Sequence, residues 1–236
     1  MLPPRGSSWK RSNWTEAVIL VIGNVLDQHE VAALRAAANK LDYVDGKTTA
    51  GRYARDVKLN LQAKPSKALD ALFEKVRGSL NSHEVFQAGA RPRKFARMLL
   101  SRYRSGMEYG LHVDDPIMNG NRTDMSFTLP LSDPADYDGG GLVIDDGIEE
   151  RVVRLEAGDA VLYPTSALHR VEPVTRGERM AVVGWVTSRV RDAARREVLY
   201  DLDVATREVF AASGKTPAFD RLFKAKSNLY RMWAED

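Results

Sequence analysis

Tyr109-Gly110-Leu111-His112-Val113-Asp114 sets an imidazole and a carboxylate two residues apart. In an extended strand that spacing points both side chains to one face, so His112 and Asp114 aim at the same spot. Ser166-Ala167-Leu168-His169 supplies a second imidazole from another segment that reads as strand. Two histidines and one carboxylate on one side of a metal leave coordination positions open, which suits a non-haem Fe(II) that must bind a cosubstrate and oxygen. A lone His-x-Asp is common by chance, and a lone His169 on an apolar strand reads as readily as a hydrogen-bonded core residue. The chain has only 4 histidines, however, and two of them fall in these strands. His29 falls in the exposed first turn of a helix and His83 in a polar loop, and both read as structural.

Further along, Arg179 opens the apolar strand Arg179-Met180-Ala181-Val182-Val183-Gly184-Trp185-Val186. Thr175-Arg176-Gly177-Glu178 before it carries a turn signal, and a hairpin there would set His169 and Arg179 on neighbouring strands. An arginine on such a strand is costly to bury without an anion, so it predicts a carboxylate partner, either a ligand or an internal acid. Trp185 shares the parity of Arg179 and should face the same way. Upstream, Leu99, Ser101 and Tyr103 share one face of the strand at 98–103, a face that points into the interior. Tyr103 reads either as a ligand contact or as a core tyrosine with a satisfied hydroxyl.

The remaining segments frame these strands. The apolar run at 17–22 reads as a buried strand. Asp27 and Glu30 make a capping box before a helix whose stripe is Val31, Leu34, Ala38 and Leu41. Ser66 caps a second helix with Leu69, Leu72, Phe73, Val76 and Leu80 on its apolar face. Between them, Val57-Lys58-Leu59-Asn60-Leu61-Gln62 alternates cleanly, which predicts a half-buried strand with Lys58, Asn60 and Gln62 toward solvent. Turn-rich segments follow at 116–121 and 133–141. Asp145-Asp146-Gly147 is the tip of a hairpin rather than a calcium site. From about Asp192 the pattern becomes helical, and Leu222, Phe223, Leu229, Met232 and Trp233 form a stripe that should pack on the strands. An exposed part of that stripe would serve a homodimer. Many short strands between helices at both ends make an α+β domain.

The composition is that of a globular chain: 236 residues, 44% hydrophobic and 28% charged. With no cysteine, disulfides and thiolate metal sites are impossible, and any metal must use nitrogen and oxygen donors. No apolar run is long enough for a membrane span or a signal segment, so the chain reads as soluble and cytoplasmic. The net charge of +3 is only mildly basic. Basic residues gather at Arg91 to Arg104 and at Arg189 to Arg196, but without a nucleic-acid-binding motif they read as solvated or acid-paired faces.

Several motifs, taken in order, resemble the PKHD-type hydroxylases, within the Fe(II)/2-oxoglutarate-dependent oxygenases related to prolyl 4-hydroxylases. They are Tyr109 to Asp114, Arg122-Thr123-Asp124-Met125-Ser126, Leu131-Ser132-Asp133-Pro134, Asp136-Tyr137-Asp138-Gly139-Gly140, Ala157-Gly158-Asp159, Leu162-Tyr163-Pro164, His169-Arg170-Val171, Pro173 to Gly177, and Arg179. The resemblance implies a double-stranded β-helix, a jelly-roll-like core, with flanking N- and C-terminal helices. The chain divides into a flexible arm at 1–14, rich in Pro, Gly and Ser, an oxygenase domain at 15–190 and a helical extension at 191–236 packed on the barrel. The resemblance implies Fe(II) on His112, Asp114 and His169, with 2-oxoglutarate held by Arg179 and hydrogen-bonded by Tyr103, and O2 and ascorbate as further participants. It implies Arg122 as a substrate contact and sets the segment with Asn60 beside the substrate entrance, while Trp185, by its parity with Arg179, and Asp115, by its place beside the metal, are further substrate contacts. The reaction implied is hydroxylation of an unactivated C–H bond of an amino-acid-like substrate, a prolyl or lysyl residue or a free small molecule, with release of succinate and CO2. Three departures bear on the substrate: Asp115 stands where the family usually has Asn, Gly141 where it has Glu, and Pro130 where an aromatic is common. Asp115 adds negative charge beside the metal and would favour a cationic or neutral substrate. The competing functions are an iron and 2-oxoglutarate sensor without catalysis, a nucleic-acid-directed oxygenase, and a metal-binding cupin isomerase, in which Arg179 would have no task.

Overall fold

Local signals start the elements where the sequence places them. Asp27 accepts from the Glu30 amide while the Glu30 carboxylate accepts from the Asp27 amide, so both halves of the capping box form. The computed structural model describes residues 19–145, 147 and 149–235. The arm at 1–14, the first residues of the 17–22 run and Asp146 lie outside that range.

The chain begins with β1 (Leu20–Ile22), α1 (Gln28–Ala38), β2 (Tyr43–Asp45), β3 (Lys58–Leu59) and β4 (Leu61–Ala63). It continues through α2 (Lys67–Ser82), α3 (Glu84–Ala90), the long β5 (Pro92–Arg104) and β6 (Glu108–His112). A small hairpin, β7 (Ile117–Met118) and β8 (Asn121–Arg122), precedes β9 (Met125–Pro130), β10 (Tyr137–Gly139), β11 (Leu142–Asp145) and β12 (Glu150–Val153). The last strands are β13 (Ala160–Pro164), β14 (Leu168–Val171) and β15 (Val174–Ser188), followed by α4 (Ala193–Ser213) and α5 (Pro217–Trp233).

Two large antiparallel sheets result, beside the β7–β8 pair. The larger runs β1-β13-β9-β15-β5-β4-β2 with β10 added on β15, and the smaller runs β12-β11-β14-β6-β3. Alternation along the large sheet divides its two faces. Leu100, Met180 and Val182 turn toward the helices and join Leu69, Leu72, Val76, Leu80 and Phe86 in the main core. Their odd-numbered neighbours Ser101, Tyr103, Arg179 and Trp185 line a cavity on the opposite face. Each fully buried Leu or Phe of this core contributes roughly 1.5–3 kcal/mol. The core thus holds the large sheet rigid from behind, and the small sheet covers its front. The structure is the jelly-roll-like α+β fold that the sequence suggests.

Three local expectations need correction. The segment Thr175 to Glu178 is not a turn. It lies within β15 and pairs with β10, where Gly177 at φ +76° bends the strand without reversing it. The chain changes sheets earlier, at Glu172 and Pro173, so His169 and Arg179 stand on facing sheets rather than on neighbouring strands. The alternating segment is inverted as well. Lys58, Asn60 and Gln62 are buried at 4%, 4% and 1% exposure, whereas Val57 and Leu59 are exposed. It crosses between the sheets: β3 pairs with β6 of the small sheet and β4 with β5 of the large one, and Asn60 alone separates them. Finally, α5 has no fully buried residue. It packs on α4, which itself buries Leu199 and Tyr200, and leaves Phe223 and Met232 exposed.

Candidate metal centre and substrate cavity

His112 and His169 are direct cross-strand partners on β6 and β14, with ring centroids 4.2 Å apart. The Nδ1 of His112 lies 2.8 Å from the Gly110 carbonyl, and that of His169 lies 3.1 Å from the Ala167 carbonyl. A carbonyl can only accept, so each Nδ1 carries the proton and each Nε2 presents a lone pair. Both Nε2 atoms face Asp114, at 3.9 Å and 3.6 Å from its two oxygens. Those distances are too long for hydrogen bonds, and one donor atom from each of the three residues falls within 4.8 Å of the others. Ser126 on β9 donates to Asp114 Oδ2 at 2.8 Å and so fixes the carboxylate from the large sheet. Burial, reinforced by the neighbouring His169, lowers the His112 imidazole to about 4 and keeps it neutral, the form a metal requires. This N, N, O donor set, pre-oriented and without cysteine, fits Fe(II) with open positions.

Arg179 lies on β15 directly opposite Tyr103 on β5, its guanidinium 5.4 Å from the Tyr103 ring. It is 4% exposed, and among the described residues it has no carboxylate partner. An internal ion pair is therefore not what holds it. The Tyr103 phenol is pushed upward by burial, opposed by Arg179, and stays neutral. Trp185 lines the same cavity with no hydrogen-bond partner at its Nε1, and Asp115 lies exposed at the cavity rim.

Arg122 is placed elsewhere. Its guanidinium is taken up by Asp124 at 2.8 Å, Glu235 at 3.1 Å and the Ser188 carbonyl at 3.0 Å. It ties the C-terminus to the strands and does not line the cavity.

The structure adds residues to the site, and it sets Asn60, for which a substrate role follows from the resemblance, among them. Tyr109 stacks on His112 at 3.6 Å, and burial holds its phenol far above the ordinary range. Lys58 lies over the other side of the site, its ammonium 4.9 Å from the Tyr109 ring. Asn60, Gln62 and Arg97 also line the cavity. Tyr109 and Ser126 belong to motifs already singled out. Lys58 and Gln62 were visible only as an alternation whose direction could not be read.

Solved structures share this architecture. SnoK, a non-heme alpha ketoglutarate dependent carbocyclase from nogalamycin biosynthesis, aligns with a TM-score of 0.56 at 16% identity, covering 74% of this chain and 81% of its own. A Pseudomonas putida prolyl-4-hydroxylase aligns at 0.50 and 22% identity, covering 73% and 94%. Residues 98–187 match the 2OG-Fe(II) oxygenase superfamily, and residues 192–235 match the PKHD-type hydroxylase C-terminal domain. A PKHD-type hydroxylase of Maricaulis maris is 49% identical over 93% of this chain and 100% of its own length. One from Parvibaculum lavamentivorans is 51% identical over 84% and 90%. The chain belongs to the PKHD-type hydroxylases, a family of the 2OG-Fe(II) oxygenase superfamily.

Proposed function

We propose that His112, Asp114 and His169 hold Fe(II), that Arg179 and Tyr103 hold 2-oxoglutarate, and that the chain hydroxylates a C–H bond of an amino-acid-like substrate in the cavity beside them. The observation that carries this is the pairing of three pre-oriented donor atoms within 4.8 Å with a buried arginine that has no internal acid. Bound Fe(II) would supply O2 activation, coupling decarboxylation of 2-oxoglutarate to succinate and CO2 with hydroxylation of the substrate. The protein's own residues position and shield. Arg179 pairs with the far carboxylate of 2-oxoglutarate, a charge-assisted contact in a dry setting. Tyr103 donates its hydroxyl to the same group. Trp185 forms the wall against which the reacting carbon rests, and Asp115 supplies negative charge at the rim. Ascorbate as an accessory reductant and a cytoplasmic setting belong to the same reading, and a chain without cysteine fits a reducing compartment.

A nucleic-acid substrate is not favoured. Part of the basic stretch is spent internally: Arg91 pairs with Asp203, and Arg102 stacks 3.9 Å over Tyr43 beside Glu178. Among the described residues no helix is long and apolar enough to cross a membrane.

The test is anaerobic titration of metal-free protein with Fe(II) and 2-oxoglutarate, followed by oxygen and a succinate assay. A visible charge-transfer band that is lost in His112→Ala and weakened in Arg179→Ala, with succinate on oxygenation, supports the enzyme. A band with no turnover across amino-acid-like substrates favours the sensor. No band removes the iron assignment.

A further inference from the structure

With iron and 2-oxoglutarate placed as proposed, the charges of the cavity do not balance. The cosubstrate dianion offsets the metal dication, Asp114 offsets Arg179, and the other acid of the lining, Asp115, is exposed at the rim and leaves a surplus of one positive charge. The two buried or half-buried cations behind that surplus are Lys58 and Arg97, both lining the cavity. They converge on one residue: Lys58 Nζ donates to Thr49 Oγ1 at 3.0 Å, and Arg97 Nη1 reaches the Thr49 carbonyl at 3.5 Å. Among the described residues neither has a carboxylate partner. Burial of Lys58 without a counter-ion is costly. The cost shows in its titration, lowered from 10.5 to about 8 by burial first and then by Arg97.

Nearby polar groups are also left open. The Asn60 amide approaches the Tyr103 hydroxyl, and Gln62 Oε1 and Trp185 Nε1 have no hydrogen-bond partner. Asn60, Gln62 and Trp185 line the cavity at 8% exposure or less. Buried polar atoms without partners cost free energy, and a site shaped by such atoms awaits a polar ligand.

We infer that Lys58 and Arg97 form an anion subsite for the substrate, and that the substrate presents a free α-carboxylate to it. The inference rests on the oxygenase reading and narrows it. An internal prolyl or lysyl residue of a polypeptide carries no such group. A free amino acid does, as does the C-terminal residue of a peptide. Asp115 then faces the ammonium of a free amino acid from the rim, which reconciles a negatively charged lip with a positively charged interior. Lys58 stands above Tyr109, which stacks on His112, so a carboxylate held there lies beside the metal ligands.

The test uses full-length protein loaded with Zn(II), a diamagnetic substitute for Fe(II), and saturating 2-oxoglutarate, so that Arg179 is occupied. Ligand-observed NMR reads binding of the free L-amino acids, their primary amides, and short peptides ending in a carboxylate or an amide, all at constant ionic strength. The expected result is binding confined to carboxylates. Lys58→Met and Arg97→Met each weaken it roughly ten- to hundredfold, whereas Arg97→Lys retains most of it. Free amino acids that bind while carboxylate-ended peptides do not identify the free acid as the substrate form. Amides that bind as well as acids, no carboxylate that binds, or an acid preference that survives both methionine variants overturns the inference. A loss of 2-oxoglutarate affinity in Lys58→Met or Arg97→Met, matching that in Arg179→Ala, also overturns it, because the two cations would then serve the cosubstrate. Failure of the oxygenase reading appears separately, as absence of the charge-transfer band in wild type.

Discussion

His112 and His169 occupy the same rung of the β6–β14 ladder, so one strand pairing fixes both imidazoles at once. The third donor lies just beyond the end of β6, where Ser126 of the opposite sheet steadies it. Ser126→Ala should therefore leave the histidines in place while freeing the Asp114 carboxylate. Fe(II) affinity should fall about 10- to 100-fold, with little change in melting temperature, as read by anaerobic metal titration and calorimetry. An unchanged metal affinity would show that Asp114 is held by other means.

Arg179→Ala should cost about 1.5–3 kcal/mol of 2-oxoglutarate binding, the range of a hydrogen bond to a charged group. Fe(II) affinity in the absence of 2-oxoglutarate should stay near wild type, since Arg179 projects from the facing sheet. Equal losses of both ligands would point to a collapsed cavity instead.

Lys58 gives the cavity a pH dependence with a definite sign. The groups facing it are Arg97, Asp114 and the Tyr109 ring, and its folded titration lies near 8 against an ordinary 10.5. Between those values the unfolded chain holds the extra proton, so this residue's contribution to stability rises with pH across the window and is most unfavourable below about 8. Carboxylate binding runs the other way, level below about 8 and falling above it as the ammonium is lost. Lys58→Met should thus raise the stability of the ligand-free protein at pH 7 by roughly 1–3 kcal/mol while abolishing the alkaline limb of carboxylate binding. A variant that melts lower than wild type would refute the stability half.

Arg122 offers a contrasting case. Its partner Asp124 is 7% exposed and also accepts from the Ser188 amide at 2.8 Å. Arg122→Ala should destabilise the protein by about 1–3 kcal/mol by leaving that carboxylate short of a partner. Because Arg122 stands off the cavity, KM for the substrate should hold steady in thermally stable preparations. A rise in KM without a loss of stability would restore it as a substrate contact.

These contrasts show which features a sequence exposes. The convergence of His112 and Asp114 was legible because a two-residue spacing in an extended strand has one geometric outcome, and the burial of Arg179 because it sits in an apolar strand. Capping boxes and helical stripes were legible for the same local reasons. Lys58, Asn60 and Gln62 were not, because alternation separates two faces without saying which is wet. Here the polar face turns into a cavity between sheets, and Val57 and Leu59 face solvent instead. The Thr175 to Glu178 segment misled because a glycine with positive φ can serve a bulge as well as a reversal, and only the pairing with β10 decides. The α5 stripe was truly amphipathic, and the element it packs on most is α4.

The crossing at Asn60 has one more effect. A single residue reaches only about 3.5 Å, so the two lips of the cavity are riveted together at that point. At that point the two sheets are held at a fixed separation, and the 46–57 segment, whose Thr49, Ala50, Gly51 and Ala54 line one side of the cavity, is anchored through Thr49 to Lys58 and Arg97. The rim and the charged lining behind it are therefore one rigid unit, built from both sheets and the segment that joins them.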